Sequence, residues 1–284
     1  MTSTVLPAPS LSTAESLGRP RVRPGAMREV LLVAFLWLVY SVSRLGADDS
    51  WAAAAGVGEA IRGLESALHV AVEPALIDLL LRFDGLALAA SAFYASAHYV
   101  VTAGVLAVVW WRAPGAYRWL RSALWGATGV ALVTYLLMPT APPRLVGYPD
   151  VLALTSSAGW WGAEASAPEG LGGLTNQLAA FPSMHAGWAL WVAVAVCCTT
   201  SRWGWRALGV GHAGVTAVVV VATGNHWVVD VLAGWAVVAA ALLLVRSAHQ
   251  AAVEVPEACR GTAPGGRGQT RGVRGLGTAE MIGA

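Results

Sequence analysis

Six stretches of apolar residues recur along the chain, and short segments rich in Arg, Gly, Pro or Asp separate them. An α-helix that crosses the hydrocarbon core of a bilayer, about 30 Å thick, needs roughly 20 apolar residues. The shorter stretches would require tilt or local thinning of the bilayer. The six cover residues 28–43, 86–111, 122–138, 185–200, 207–222 and 227–245. This pattern predicts an all-α polytopic membrane protein with about six transmembrane helices in a bundle.

The composition of the chain is typical of a membrane protein rather than a soluble one. Of its 284 residues, 56% are apolar and 12% are charged, whereas soluble proteins are about 25% charged. The net charge of +2 is small and scattered, which excludes a nucleic-acid partner. Three cysteines, two of them neighbours in an apolar stretch, do not form a disulfide framework.

The distribution of the basic residues, all 18 of which are Arg, predicts the orientation of the helices. With six spans, 14 of them fall on one side of the membrane, which the positive-inside rule makes the cytoplasmic side. The other side holds ten carboxylates and the four remaining arginines, Arg44, Arg62, Arg82 and Arg144. Both termini are therefore predicted to be cytoplasmic, in a protein of the plasma (inner) membrane.

Three regions lie outside the predicted spans. Residues 1–26 and 251–284 are rich in Gly, Pro, Ser and Arg, which predicts a disordered tail on each side of a membrane domain at 27–250. Residues 48–84 carry apolar side chains at helical intervals among acids, which predicts one or two amphipathic helices on the outer surface, interrupted at Pro74. The first span could instead be a signal peptide, although no clear cleavage site follows it.

Titratable residues within or beside the spans are candidates for function, because burying them in a membrane is costly. The predicted topology places Arg144 after the third span and His185 at the start of the fourth. His226 and Asp230 lie at the turn between the fifth and sixth spans. All four therefore lie at the outer interface, although they come from three separate loops. We expect the catalytic segments, within residues 139–234, to meet there and to face the extracytoplasmic side.

The spacing of these residues suggests a chemical role for each, with a structural alternative. His226 and Asp230 share one helical face, so the carboxylate can fix the tautomer of the imidazole, or the pair can simply tie helices together. His185 follows Ser183 at a predicted helix start, where backbone amides favour phosphate, but it could also be an interface residue. Arg144 could bind phosphate or reach the lipid headgroups.

Two further histidines lie inside predicted spans. His98 is four residues after Tyr94 on the second span, which places both on one face near mid-membrane. They are candidates for a substrate pocket, and the alternative is a hydrogen bond to another helix. His212 lies towards the cytoplasmic end of the fifth span, and we expect it to be structural.

Three strings in this part of the chain resemble the motifs of the type 2 phosphatidic acid phosphatase superfamily of membrane enzymes. The second motif of that family, P-S-x-H, matches residues 182–185, and the core of the third, H-x-x-x-D, matches residues 226–230, followed by Gly234. The first motif ends in an arginine, which aligns with Arg144. The strings A-P-P-R, F-P-S-M-H and T-G-N-H-W-V-V-D are most similar to the branch that contains the inositol phosphorylceramide synthases.

The resemblance implies an enzyme that forms a phosphohistidine and uses no metal or other cofactor. His226 would be the nucleophile, Asp230 its orienting partner, and His185 the group that protonates the leaving alkoxide and later activates the acceptor. Arg144 and the region of Ser183 would bind phosphate. The implied substrate is a lipid phosphate or phospholipid. The acceptor is either water, as in a lipid phosphatase, or a polyol, as in an inositolphosphotransferase.

The chain departs from the family's usual motifs at two sites. Leu137 occupies the position of a lysine in the first motif, and Val219 and Val220 occupy those of Ser-Arg in the third. Either Asn225 and groups from the second span replace these phosphate ligands, or the affinity for phosphate is weak. The branch resemblance favours a pocket role for Tyr94 and His98.

Two other classes of function remain open at this point. One is a metal-binding or transporting bundle with His185, His226 and Asp230 as ligands, although a bound cation would repel Arg144. The other is a non-catalytic membrane scaffold, which the two missing basic positions favour.

Overall fold

The computed structural model describes residues 24–43, 51–162, 165–168 and 176–258, and most of these are helical. These described residues contain nine α-helices: α1 Ala26–Ser43, α2 Trp51–Ala67, α3 Glu73–Leu81, α4 Asp84–Arg112, α5 Pro114–Leu137, α6 Val151–Thr155, α7 Met184–Thr199, α8 Trp203–Ala222 and α9 Val228–Ala258. Short 3-10 helices cover Pro143–Leu145 and Ser156–Ala158.

Four helices among the described residues are long and apolar enough to cross a membrane. They are α4, α5, α8 and the first part of α9, Val228–His249. Helix α7 is apolar but has only 16 residues, which is about 24 Å of helix and shorter than a bilayer core. A mostly helical chain with four candidate membrane spans is thus confirmed, whereas the count of six spans is not. The orientation of the termini remains a prediction.

One small element departs from the all-α prediction. Strands β1 Trp161–Gly162 and β2 Ala165–Pro168 form an antiparallel pair, in which Trp161 faces Pro168. The indole of Trp161 is buried, and its Nε1 donates to Leu152 O at 3.0 Å, which attaches the pair to helix α6. A two-residue strand has no periodicity to detect, so sequence patterns do not reveal it.

Helix α7 packs at the centre of the bundle, against α4, α5 and α8. Trp191 is fully buried there, and its Nε1 donates to Leu120 O at 2.8 Å. Small residues allow the closest approaches: a Cβ on Gly209 of α8 would lie 3.4 Å from Ala193 Cα, and one on Gly187 would lie 3.2 Å from Gly234 O of α9. Close backbone contact of this kind stabilises helix pairs in membranes, where apolar burial alone does not drive association.

The segment predicted to hold amphipathic helices contains α2 and α3. Pro74 lies in the first turn of α3, where a missing N–H costs nothing, so it begins that helix rather than interrupting one. Helix α2 is also attached to the chain that follows α5, because Ala141 N donates to Ala54 O at 3.0 Å. A Cβ on Gly58 would lie only 2.7 Å from Ala141 O, so glycine is required at this contact.

The predicted tails lie mostly outside the described residues. Helix α1 begins at Ala26, within the predicted N-terminal tail, and α9 continues to Ala258, past residue 250 where the membrane domain was predicted to end. Glu29 of α1 accepts hydrogen bonds from Tyr117 Oη, at 2.9 Å, and from Arg121, so α1 is bonded to α5.

Candidate active site

Three chain segments meet where helices α7 and α9 begin. Thr140, just after α5, pairs with Ala179, and Thr140 N donates to Leu178 O at 2.7 Å. The third segment is the turn from α8 to α9, where Gly224 has a φ of +73°. A Cβ on Gly224 would also lie 2.8 Å from Pro149 O, so both conformation and space require glycine. These contacts bring together the segments that carry the family motifs.

His226 lies in the turn before α9 and is only 3% exposed. Its Nδ1 is 2.9 Å from Ala180 O, and because a carbonyl oxygen can only accept, Nδ1 carries the proton. Nε2 is then the unprotonated nitrogen. Burial, against the opposing effect of the Ala180 hydrogen bond and with a further contribution from the charge of Arg144, lowers the pKa of His226 from 6.5 to about 4. The ring is therefore a neutral imidazole at physiological pH.

The Asp230 carboxylate was expected to be the main hydrogen-bond acceptor for the His226 ring, and the structure shows that it is not. Its Oδ2 lies 3.4 Å from His226 Nδ1, which is longer than the bond to Ala180 O. The same Oδ2 accepts from Trp227 N at 2.8 Å and so caps the start of α9. Asp230 is fully buried, and its charge lies beside the ring without being its closest partner.

His185 lies in the first turn of α7 and faces three other rings. Its ring is 5.4 Å from that of His226 and 4.0 Å from that of His98, measured between centroids. Tyr94 stacks on it at 4.4 Å, with 18° between the ring planes. His185 Nε2 is buried and has no hydrogen-bond partner among the residues that the structure describes. A nitrogen in that position is available to a ligand.

Arg144 is held against the turn that carries His226. Its backbone N donates to Gly224 O at 2.8 Å, and its Nε donates to Asn225 Oδ1 at 2.9 Å. Its Nη1 donates to Asp150 Oδ2 at 3.2 Å, and the Arg144 side chain is only 9% exposed. The structure thus places a fixed positive charge beside the His226 ring.

The two other residues predicted to bind phosphate are already hydrogen-bonded to protein groups. Ser183 is fully buried and is the N-cap of α7, with Oγ accepting from Ala186 N at 3.3 Å. Asn225 Oδ1 accepts from Arg144, and its Nδ2 donates to Thr223 O at 3.2 Å. Asn225 therefore supports Arg144 and does not replace a missing basic ligand by itself.

Helix α4 contributes the remaining candidates. His98 is buried, and its Nδ1 donates to Tyr94 O at 3.0 Å within the helix, while its ring lies against His185. This nitrogen therefore does not form the alternative interaction, a hydrogen bond to another helix.

Two other positions lie outside this group of rings. The His212 ring of α8 lies 5.7 Å from the Phe93 ring, measured between centroids. Leu137, at the position of the family's lysine, is 80% exposed.

Two residues at the site were missed by sequence reasoning. Glu65 of α2 and Glu73 of α3 are fully buried, and their Oε1 atoms accept from Val229 N and Val228 N at the start of α9. Acids on an amphipathic surface helix are normally solvated, so nothing in their type indicated burial. The spacing of Gly58, Ile61 and Glu65 along the buried face of α2 is the one available signal.

The metal-binding alternative finds no support in the arrangement of the side chains. In the part of the chain that the structure describes, no three side chains of His, Cys, Asp or Glu are grouped so that they could hold a metal ion. Two atoms of the proposed ligands are bonded to protein groups instead. His226 Nδ1 bonds to Ala180 O, and Asp230 Oδ2 accepts from Trp227 N.

Comparison with known proteins addresses the family directly. The model of the PAP2 superfamily matches residues 59–244, which is more than half of the chain and includes every candidate residue described above. No curated protein and no solved structure matches the chain. The resemblance to the type 2 phosphatidic acid phosphatases is thus confirmed at the level of the superfamily, although not for one branch of it. The chain belongs to the PAP2 superfamily and is an integral membrane enzyme of the lipid phosphatase or phosphotransferase type.

Proposed function

We propose that this protein breaks a lipid phosphoester bond at the extracytoplasmic face of the membrane through a covalent phosphohistidine at His226. The observation that carries the proposal is the bond from His226 Nδ1 to Ala180 O, which leaves Nε2 with its lone pair at the centre of the site. A neutral imidazole with one nitrogen bonded to the protein is the form in which histidine attacks phosphorus.

The first half-reaction transfers the phosphoryl group to the enzyme. His226 Nε2 forms a bond to phosphorus, the bond from phosphorus to the lipid oxygen breaks, and the departing alkoxide takes a proton from His185. The positive charge that develops on the His226 ring is balanced by Asp230, whose Oδ2 lies 3.4 Å from Nδ1. His185 is suited to the acid role because its ring is 5.4 Å from that of His226 and its Nε2 is not bonded to the protein.

The second half-reaction releases the phosphoryl group. His185, now neutral, removes a proton from the acceptor hydroxyl, the acceptor oxygen bonds to phosphorus, and the bond from phosphorus to His226 Nε2 breaks. With water as acceptor the product is phosphate or a phosphomonoester, and with a polyol it is a new phosphoester. General acid and base roles alternate in one group, as microscopic reversibility requires.

The charge of the transferred group is met by Arg144. Asp150 and Asn225 hold its guanidinium, so it does not have to be ordered when substrate binds. The first turn of α7, capped by Ser183, adds backbone N–H groups that have no helical partner. Two basic positions of the family's usual motifs remain unreplaced, and we propose that Tyr94 and His98 of α4 form part of the wall of the pocket in their place.

The acceptor divides the proposal into two forms. A lipid phosphatase uses water, and a headgroup transferase of the inositolphosphotransferase kind uses a polyol. Both share the chemistry at His226, so the acceptor must be found by experiment.

The experiment uses the purified full-length protein in detergent with 32P-labelled phosphatidic acid or phosphatidylinositol, with and without inositol. We expect acid-labile label on the wild-type protein and none on His226→Asn. Activity that persists in a chelator separates this reaction from a metal-dependent one. With phosphatidic acid as substrate, release of labelled phosphate identifies a phosphatase, and labelled inositol phosphate that forms only when inositol is present identifies a transferase. With phosphatidylinositol as substrate, labelled inositol phosphate that forms without added inositol identifies hydrolysis. Turnover by His226→Asn at the wild-type rate would contradict the proposal.

A further inference from the structure

Two buried glutamates stand beside the site without a part in the reaction above. Glu65 and Glu73 have no exposed surface, although α2 is exposed at most of its positions and α3 at four of its nine. Buried carboxyl groups are costly unless each oxygen has a partner. Their placement therefore requires a compensating interaction.

That interaction is with the start of the helix that carries Asp230. The first N–H groups of any helix lack partners within it. Here Trp227 N donates to Asp230 Oδ2 at 2.8 Å, Val228 N donates to Glu73 Oε1 at 3.1 Å, and Val229 N donates to Glu65 Oε1 at 2.7 Å. Three successive amides are thus capped by three carboxyl groups, and two of these come from more than 150 residues away in the chain.

The two glutamates also interact with each other. Their side chains are within hydrogen-bonding range, and a hydrogen bond between two carboxyl groups requires that one of them carries a proton. Oε2 of each is buried and has no hydrogen-bond partner among the described residues, so a proton held between the two carboxyl groups would compensate for this burial. Burial, followed by the proximity of Glu73, raises the pKa of Glu65 from 4.5 to about 8. At neutral pH Glu65 therefore holds a proton.

The capped turn is continuous with the nucleophile. His226 immediately precedes Trp227, whose Nε1 donates to Ala141 O at 3.0 Å. Ala141 in turn donates from its backbone N to Ala54 O of α2. Helix α2 is thus bonded both to the start of α9 and to the segment that leads to Arg144. A shift of α2 would move the two sides of the site relative to each other.

We propose that Glu65 and Glu73 are positioning residues for this site, acting as a proton-sharing pair that caps helix α9 and holds His226 in place against His185 and Arg144. The role in turnover rests on the proposed function, whereas the cap itself can be tested without turnover.

The surroundings of the pair determine how it responds to pH. Glu73 approaches Glu65 from α3 and Asp230 approaches it from α9, and both carry or share negative charge. The Tyr148 phenol lies near both glutamates, and on α2 itself Glu59 and Arg62 form an exposed ion pair at 2.7 Å. No buried cation among these groups balances the pair. Loss of its proton as the pH rises through about 8 would therefore place repelling charges beside Asp230 and loosen the cap.

The test compares three variants of the full-length protein. Glu65→Leu removes the acceptor for Val229 N, whereas Glu65→Gln keeps an acceptor oxygen and supplies a permanent donor to Glu73. Glu59→Gln is the matched control on the exposed face of the same helix. At pH 7 we expect Glu65→Leu to lower kcat by about 10- to 100-fold with KM within about threefold, because Val229 N is left buried without its hydrogen-bond acceptor. Both Gln variants should stay close to the wild type.

A pH profile separates positioning from general stability. The wild-type kcat should fall above a pH of about 8, and this alkaline loss should be absent in Glu65→Gln, which has no proton to release. The loss should persist in Glu59→Gln. If Glu65→Leu does not fold, the pH profiles of the wild type and Glu65→Gln still test the positioning role. An identical alkaline loss of kcat in these two proteins would overturn the proposal.

Amide hydrogen exchange tests the cap without any substrate. In Glu65→Leu, exchange at residues 227–230 should accelerate, while helix α5 should exchange as in the wild type. Unchanged exchange at those residues would overturn the cap. Faster exchange with an unchanged kcat would show a purely structural cap and overturn the positioning role. A wild-type protein that turns over no lipid phosphoester would refute the proposed function, and the exchange data would still report on the cap.

Discussion

His226 can take part in chemistry through only one of its two ring nitrogens. The Ala180 carbonyl occupies Nδ1, and Asp230 stands further away at 3.4 Å. The sequence predicted that Asp230 would fix the tautomer, and the structure assigns most of that task to a backbone oxygen. A carbonyl of an alanine leaves no trace in the residue types of a motif, so no sequence pattern could indicate it. Asp230 retains an electrostatic role and a capping role.

The charge of Arg144 should help burial, which has the larger effect, to keep His226 neutral. Replacing it with leucine, in Arg144→Leu, removes a positive charge that helps to lower the pKa of His226 to about 4. We expect that pKa to rise towards 6.5, which can be followed by NMR of histidine-labelled protein, with His226→Asn identifying the signal. Because the folded pKa is below the unfolded value, the wild type loses stability as pH falls from 6.5 towards 4, and the variant should lose less. A pKa that stays at 4 would contradict the placement of the two groups.

The geometry of the Arg144 guanidinium should matter as well as its charge. Lysine keeps the charge in Arg144→Lys, but it cannot donate to Asn225 and Asp150 from two separate nitrogens in one plane. We expect kcat/KM for a lipid phosphoester to fall by about 10- to 100-fold, as for the loss of a charged hydrogen bond. Arg62→Lys, in an exposed ion pair, should leave kcat/KM unchanged. If Arg144→Lys were as active as the control Arg62→Lys, Arg144 would act only as a point charge.

At the scale of helices, periodicity predicted most elements correctly, but not how they are used. Apolar intervals indicated helices between residues 48 and 84, and α2 and α3 lie there. The face that α2 buries contains Ala54, Gly58, Ile61 and Glu65, whereas Leu64 and Leu68 are about half exposed. Backbone contacts with Ala141 and α9 select small residues and a hydrogen-bonding acid on that face. Hydrophobicity alone therefore does not predict the burial of Gly58 or Glu65.

The contact between α7 and α9 gives a prediction at this scale. A Cβ on Gly234 would lie 2.1 Å from Ser183 O, so Gly234→Ala must push α9 away from the start of α7, which carries His185. We expect destabilisation by at least about 1–3 kcal/mol, the usual range for overpacking, and a large loss of activity. Gly126→Ala in α5 has open space around its Cβ and should stabilise by about 0.5–1 kcal/mol. Thermal unfolding in detergent measures both, and a Gly234→Ala protein as stable as the wild type would contradict this packing.

For the whole molecule, the sequence predicted the class, the family and the convergence of three distant loops, because these depend on composition and on residue types that motifs specify. For α7 only the start differs, by one residue: the predicted span at 185–200 and the helix Met184–Thr199 both have 16 residues. At this length α7 crosses the bilayer core only with tilt or local thinning of the bilayer, as the sequence indicated. Where a helix begins depends here on the Ser183 cap and on the contact of Ser183 with Gly234, which are tertiary features.

The orientation of the molecule follows from the distribution of arginine and can be tested by labelling. In a protein with Cys197, Cys198 and Cys259 replaced by serine, single cysteines are introduced as Glu59→Cys or Arg202→Cys, both at exposed positions. Glu59 lies on α2, which is bonded to the segments of the active site, and Arg202 precedes α8, at the opposite end of that helix from His226. If the site is extracytoplasmic, a membrane-impermeant maleimide should label Glu59→Cys in intact cells and Arg202→Cys only after permeabilisation.

The cysteine-free protein gives the background for this measurement, and activity of each variant shows that it is folded. The reverse labelling pattern would place the active site on the cytoplasmic side, and substrate would then have to come from the inner leaflet. Labelling of both positions in intact cells would mean that α8 does not cross the membrane. Only external labelling of Glu59→Cys, with protection of Arg202→Cys, is consistent with 14 arginines on the inner side.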